Sequence, residues 1–438
     1  MSQKMMSLLV QKVRNTSSAT NLIQRSLPLL LTEYHHCHNS WRSNHNTAST
    51  NQLQTQLKTR IKASGPLTVA KYMREVLTNP ISGYYMHRDV FGTKGDFITS
   101  PEISQVFGEL IGVWCINEWM QSGSPQNIQL VELGPGRGTL ADDILRVCAQ
   151  FPQIKDALSL HLVEVSPALS NKQAEKLSSP ETTIEVSDKD APCYKKCKSK
   201  YGFDVFWYKQ IQDVPQGFSF YVAHEFFDAL PIHKFQKTEH GWREILIDFT
   251  DESTTDKPQF KYVLSPGITP ALTLAKIKPD ESRDHVEFSP ESGVIIQDIA
   301  NRINMNGGFA LVADYGHDGE KGDTFRGFRN HSLHDPLKDV GTADLTADVD
   351  FSYLKQCLNY FNDLSVYGPI TQQDFLQNMG IGVRLKVLLQ KAERKHQKDL
   401  VSGCDMLVNP NQMGERFKFC AFTKQKPEDY LPAGFKPL

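Results

Sequence analysis

The apolar run Ile128–Leu133 ends in Gly134-Pro135-Gly136-Arg137-Gly138, and helical spacing begins at once, from Thr139 to Cys148. A strand that gives way to a helix across a glycine-rich bend is the opening unit of a doubly wound sheet, so this feature commits the chain to an α/β fold. The flanking segments agree. Leu160–Val165, Val205–Tyr208, Phe218–Ala223 and Phe309–Ala313 read as further strands, with helices at Ala168–Leu177 and Val294–Met305. Helices over Tyr353–Phe361, Gln372–Met379 and Val383–Ala392 and a closing strand over Arg416–Thr423 complete the series. Such alternation implies a mostly parallel sheet covered on both faces. Segments 178–202 and 236–290 break the rhythm and read as insertions in a domain spanning 128–438. Ahead of it, 63–127 reads as an N-terminal helical segment with helices at Leu67–Leu77 and Ile103–Met120.

The formal charge of −2 conceals a polarity along the chain. Residues 1–62 carry Lys4, Lys12, Arg14, Arg25, Arg42, Lys58, Arg60 and Lys62 against a single acid, Glu33. Removing these from 48 basic and 50 acidic residues leaves 40 against 49, a net of −9 for the remainder. An acidic body repels phosphate backbones, which argues against a nucleic-acid substrate and suits a basic protein partner. The first 62 residues are rich in Ser, Thr and Asn and punctuated by Lys and Arg, and they read as a mitochondrial presequence and disordered tail. No segment approaches the ~20 apolar residues of a membrane span. Eight cysteines fall in no paired frame, which suits a reducing interior. Cys193 and Cys197 lie in a Lys-rich stretch read as an exposed loop, and His35, His36, Cys37 and His38 belong to the presequence, so no metal site is expected.

The spacing of the glycines discriminates between ligands. A dinucleotide fingerprint, G-x-G-x-x-G, would place its third glycine at 139, which is Thr139. The G-x-G-x-G found here, preceded by Glu132, is the usual shape of a loop that holds S-adenosylmethionine. That molecule carries an ammonium and a sulfonium but no phosphate, so a carboxylate at the strand tip attracts it and would repel a pyrophosphate. Gly134, Pro135, Gly136 and Gly138 are therefore expected around the cofactor, with Glu132 beside its charge. Glu164, at the end of the second strand, is placed to accept hydrogen bonds from both ribose hydroxyls.

The fourth strand runs into His224-Glu225-Phe226-Phe227-Asp228-Ala229-Leu230-Pro231, where it faces the methyl donor. Two acids at the tip of a buried strand are costly unless they meet a cation. A guanidinium satisfies both, since its planar fork pairs bidentately with carboxylates. Glu225 is thus the candidate that orients the acceptor nitrogen. Asp228 either assists or begins a helix, and His224 is either a base or an ordinary loop histidine. In Gly95-Asp96-Phe97-Ile98-Thr99-Ser100-Pro101-Glu102, Ser100 reads as the cap of the long helix, while Asp96 and Phe97 are placed to cover the cofactor. Asp314-Tyr315-Gly316, at the end of the fifth strand, is a further candidate border of the substrate.

Five motifs in order carry a resemblance: GDFITSPEISQVFGE at 95–109, VELGPGRGTL at 131–140, HEFFDALP at 224–231, ADYG at 313–316 and DLTADVDF at 344–351. The chain resembles the MidA-type family of mitochondrial protein arginine methyltransferases, the complex I assembly factors, over roughly Pro66 to Lys424. The resemblance implies a class I methyltransferase fold and S-adenosylmethionine as cofactor. It implies symmetric dimethylation of an arginine in a core subunit of the peripheral arm of complex I, in the mitochondrial matrix. His224 stands where the family more often has Asn. A non-catalytic assembly chaperone of the same fold, or a methyltransferase for another substrate, are the competing readings.

Overall fold

The computed structural model describes residues 52–87, 96, 98–188, 191–250, 260–424, 426–427 and 429–436. Most of the expected presequence, and the histidines and cysteine at 35–38, lie outside the described residues. Helix α1, 52–64, buries Leu53, Leu57 and Ile61 at intervals of four. That spacing makes one apolar stripe, and it packs in one core with Val69, Tyr72, Met73 and Val76 of α2 (Val69–Thr78). The folded body therefore begins inside the segment expected to be presequence and tail, which moves the boundary drawn at 62.

Helix α3 (Ser100–Ile103) is a single turn that breaks at Ser104 before α4 (Gln105–Gln121). The cap of the long helix is Ser104, whose hydroxyl accepts from the Val106 amide; Ser100 is instead the first residue of the short turn. Helix α4 is buried around most of its circumference, and it brings one acid with it. Glu109 accepts from Arg146 at 2.7 Å and from Arg384 at 2.6 and 3.0 Å. The last residue of the first motif is thus an ion-paired clasp between helices, not part of a site.

Strand β1 (Ile128–Leu133) and helix α5 (Thr139–Cys148) fall where the spacing predicts. Next come β2 (Leu158–Val163), α6 (Pro167–Leu177), β3 (Asp204–Tyr208) and β4 (Ser219–His224). Strands β5 (His233–Thr238), β6 (Gly241–Phe249), β7 (Phe260–Leu264) and β8 (His285–Phe288) then form an antiparallel sheet. Leu67–Thr68 joins its β6 edge, and Ile245, Ile247 and Phe260 share the core of α1 and α2. The region 236–290 is therefore half of a second layer built jointly with the N-terminal helices.

Helix α7 (Pro290–Asn306) returns the chain to the main sheet as β9 (Gly308–His317). Strands β10 (Arg326–Arg329) and β11 (Asp344–Thr346) pair antiparallel, and α8 (Phe351–Leu358) leads to β12 (Leu364–Thr371) and finally β13 (Phe417–Lys424). The main sheet runs β12–β13–β9–β4–β1–β2–β3, with Cys193–Lys198 added antiparallel to β3. Cys193 and Cys197 thus occupy a strand, with Cys197 buried, where an exposed loop was expected. Strands β9, β4, β1, β2 and β3 are parallel, and β13 is antiparallel to both neighbours.

Alternate residues of β1 serve opposite faces: Leu130 packs with α4 and α5, Val131 and Leu133 with α7 and α8. Because the chain leaves β1 for β2 on one side and later returns as β4 on the other, a crevice opens at the carboxyl ends of these strands. No helix among the described residues is long and apolar enough to cross a membrane.

Candidate active site

A cleft of about 1190 Å³ occupies that crevice, roofed by α2, Tyr85, α3 and the β10–β11 sheet. The volume exceeds the ~300–1,000 Å³ of a typical single-ligand pocket, as a site for a cofactor and an acceptor side chain together requires. Glu132, Gly134, Pro135, Gly136 and Glu164 line one end; His224, Glu225 and Asp228 line the other. The nine expected site residues converge here except Gly138, which stands behind the lining.

At the first end the bend is shaped by glycines for two reasons. Gly134 has φ +62°, and a Cβ there would lie 2.9 Å from the Phe226 ring. Gly138, at φ +75°, is the N-cap of α5, and a Cβ there would press on Gln173 at 3.3 Å. Gln173, fully buried on α6, was not foreseen. Its amide donates to the Gly136 carbonyl at 2.8 Å and to Glu164 Oε2 at 2.9 Å, and its oxygen accepts from Trp207 Nε1. It locks the bend to the tip of β2. Glu164 Oε1 accepts from the Ser166 amide at 2.7 Å. Each of its oxygens retains a further lone pair for a hydroxyl donor.

Glu132 is 3% exposed, and its Oε2 has no hydrogen-bond partner among the described residues. Burial, and then the nearby Glu164, push its carboxyl up to about 8; burial raises Glu164 to about 7. Two mutually repelling acids and an orphaned oxygen are what a cationic, phosphate-free ligand would relieve, so the residues present fit S-adenosylmethionine. When bound it supplies an electrophilic methyl group.

A pH dependence follows. The folded chain keeps a proton on Glu132 that the unfolded chain releases above its ordinary 4.5. This stabilising contribution is complete below that value and is lost as pH rises through about 8. Without cofactor, Glu132→Gln is therefore expected to melt progressively higher than the parent as pH is raised from about 5 to about 8. Saturating S-adenosylmethionine should reverse that order at the upper pH. Parallel melting curves across the range would contradict it.

At the second end, Glu225 has φ +49°, a left-handed conformation that a side-chain-bearing residue adopts at a cost. The turn aims its carboxyl into the cleft, where the Ser100 amide donates to Oε1 at 3.4 Å. No Lys or Arg among the described residues lies within ion-pair distance of it. Burial, and then Asp228, hold Glu225 well above the usual carboxylate range. Asp228 is raised to about 6, chiefly by burial, and its Oδ2 accepts from the Thr346 hydroxyl at 2.9 Å. It lies in the short turn Phe227–Ala229 and lines the cleft, so the helix-start and site readings both describe it.

His224 does not have the character of a base. Its ring is buried beside Phe107 and Phe417, with centroids 5.0 and 6.1 Å away, and burial lowers it to about 3. A neutral imidazole there packs against the root of Glu225. Asp314 is also corrected: β9 continues past it, and its Oδ2 accepts the amides of Phe226, Phe227 and Asp228 at 2.9–3.3 Å from behind the cleft. It fixes the turn that presents the two acids, while its neighbour Tyr315 reaches the lining. Asp96 is likewise structural, accepting from the Tyr84 hydroxyl at 2.6 Å and the Asn330 amide at 2.9 Å. Phe97 lies outside the described residues. Asp344 and Thr346 complete the wall, and Asp344 accepts from the Tyr85 hydroxyl at 2.6 Å.

The fold and the site together define a class I methyltransferase that uses S-adenosylmethionine. The family described as "Putative S-adenosyl-L-methionine-dependent methyltransferase" matches residues 110–370. The chain is 56% identical over 398 residues to the Xenopus tropicalis "Protein arginine methyltransferase NDUFAF7, mitochondrial", spanning 90% of this chain and 91% of that one. To the Homo sapiens protein of the same name it is 55% identical over 378 residues, 86% and 83% of the two chains. A solved structure of a Burkholderia thailandensis protein bound to S-adenosyl-homocysteine superposes with a TM-score of 0.71 at 23% identity, covering 94% of this chain and 98% of that one. The chain belongs to the MidA-type family of S-adenosylmethionine-dependent methyltransferases.

Proposed function

We propose that this chain is a mitochondrial protein arginine methyltransferase whose acceptor is held by Glu225 and Asp228. The observation that carries the reading is the partly buried carboxyl pair at the tip of β4, raised by desolvation and facing the same cleft as the cofactor bend. The Xenopus tropicalis and Homo sapiens relatives are named as mitochondrial arginine methyltransferases, which supports it. A guanidinium entering between these acids supplies a cation that Glu225 lacks among the described residues. Its nitrogen is a poor nucleophile while protonated. Glu225, whose proton affinity is raised, takes the proton the nitrogen gives up. The nitrogen–methyl bond forms as the sulfur–methyl bond breaks, and the sulfur keeps the electron pair. Most of the acceleration comes from holding the nitrogen in line, the rest from the acids' charge.

The family resemblance supplies the finer reading: a core subunit of the complex I peripheral arm as substrate, symmetric dimethylarginine as product, and the matrix as the place of reaction. The test is mass spectrometry of matrix proteins from cells with and without this chain. Symmetric dimethylarginine on such a subunit, lost with the chain and restored by it, is the expected result. Unchanged arginine methylation would refute the reading and favour a chaperone role.

A further inference from the structure

The cofactor bend and the acceptor end of the cleft are joined by a side chain that the mechanism above does not use. Glu102 lies on α3, the same turn whose Ser100 amide donates to Glu225. Its side chain is 10% exposed and lines the cleft. Oε1 accepts from Arg137, in the cofactor bend, at 3.2 Å, whereas Oε2 is buried with no hydrogen-bond partner among the described residues. At the same place His224 Nε2, on a side chain 6% exposed, also lacks a hydrogen-bond partner and sits 3.5 Å from Glu225 Oε1.

A carboxylate oxygen removed from water with nothing to accept from is costly, so the site is incomplete as the described residues build it. The missing group has to be a donor, and next to Glu225 and Asp228 it has to be a cation. A guanidinium has five N–H groups in one plane. Carboxylates on one edge leave donors on another, which a further carboxylate can take while one nitrogen stays open to the methyl group. We propose that Glu102 is this further carboxylate, beside the Glu225–Asp228 pair: Oε2 accepts from the target guanidinium while Oε1 keeps Arg137, so one side chain ties the acceptor to the cofactor bend. The inference rests on the arginine reading given above. If Glu102 served only to anchor Arg137, its loss would act on the cofactor rather than the acceptor.

The test uses the full chain loaded with S-adenosyl-homocysteine and the pentapeptide Gly-Gly-Arg-Gly-Gly, with affinities read by ligand-detected magnetic resonance. Glu102→Gln is expected to weaken the peptide about tenfold or more, as loss of a charge-assisted hydrogen bond does, with S-adenosyl-homocysteine affinity held within about twofold. Glu102→Asp, which keeps the charge on a shorter arm, should recover part of the loss. Peptide affinity unchanged in Glu102→Gln but reduced in Glu225→Gln would overturn this inference and leave the arginine reading standing. Equal loss of peptide and S-adenosyl-homocysteine, reproduced by Arg137→Gln, would reduce Glu102 to an anchor and also overturn it. Failure of the parent chain to bind the peptide, or indifference of the peptide to Glu225→Gln, would overturn the arginine reading and the inference together.

Discussion

Glu225→Gln is expected to lower turnover about a thousandfold while S-adenosylmethionine affinity stays within about threefold of the parent. The amide has the shape of the carboxyl and can occupy the same left-handed turn, so the exchange removes charge and proton affinity rather than structure. Two effects are lost together: the orientation of the guanidinium and the acceptor for its proton. General-base assistance alone contributes roughly 10²–10⁴-fold, so a thousandfold loss is the middle of the range even before orientation is counted. The cofactor is expected to be spared because the acids proposed to hold it, Glu132 and Glu164, stand at the tips of β1 and β2. Radiolabel transfer at saturating cofactor, beside a calorimetric titration, separates the two quantities. Retained turnover would mean another residue type is the acceptor; joint loss of turnover and cofactor binding would mean Glu225 is structural.

Gly136→Val is expected to abolish detectable S-adenosylmethionine binding without unfolding the protein. Gly136 has φ +53°, and its carbonyl accepts from Gln173, which also holds Glu164. A β-branched residue in the left-handed region costs on the order of 1–3 kcal/mol, which is a fraction of the ~5–15 kcal/mol stability of a folded domain. The chain therefore remains folded. What relaxes is the bend: moving its carbonyl releases Gln173, and Gln173 releases the ribose acid. About 3 kcal/mol at a binding loop is roughly a hundredfold in affinity before the added side chain fills space at the cleft wall. A melting temperature near the parent's with no shift at saturating cofactor is the expected pair of readings. Parental affinity would refute the assignment of the bend.

Where the sequence was legible, the signals were local. The β1–bend–α5 unit is written in consecutive residues, and its predicted ends match the structure. The acids at 132, 164 and 225 were legible because a carboxyl at the tip of a buried strand is out of place without a ligand. The antiparallel sheet at 233–288 was hidden: its strands are partly exposed, and His233–Thr238 holds a single apolar residue, Phe235, a weaker pattern than a buried run. The helix Arg394–Val408 opens with six polar or charged residues, and its apolar stripe of Leu400, Cys404 and Leu407 begins only after them. Ser100 and Ser104 are both plausible caps by residue type, and the chain break at Ser104 tells which one caps the long helix. Gln173, Thr346, Asp344 and Glu102 entered the site through contacts between distant segments, for which no local spacing exists. Asp314 was noticed for the right reason, an acid at a strand end, yet its partners are four backbone amides, three of them in the turn behind the cleft. The left-handed turn at Glu225 had no sequence signature, because glycine is the residue that usually announces one.

The most direct measurement is a crystal structure of the chain with S-adenosyl-homocysteine and an arginine peptide bound together. The ribose hydroxyls should rest on Glu164, the ammonium should lie within reach of Glu132, and the guanidinium should sit against Glu225 at the tip of β4. A nucleoside bound away from the Gly134–Gly138 bend, or Glu164 turned from the sugar with the arginine outside the cleft, would contradict the account at its root.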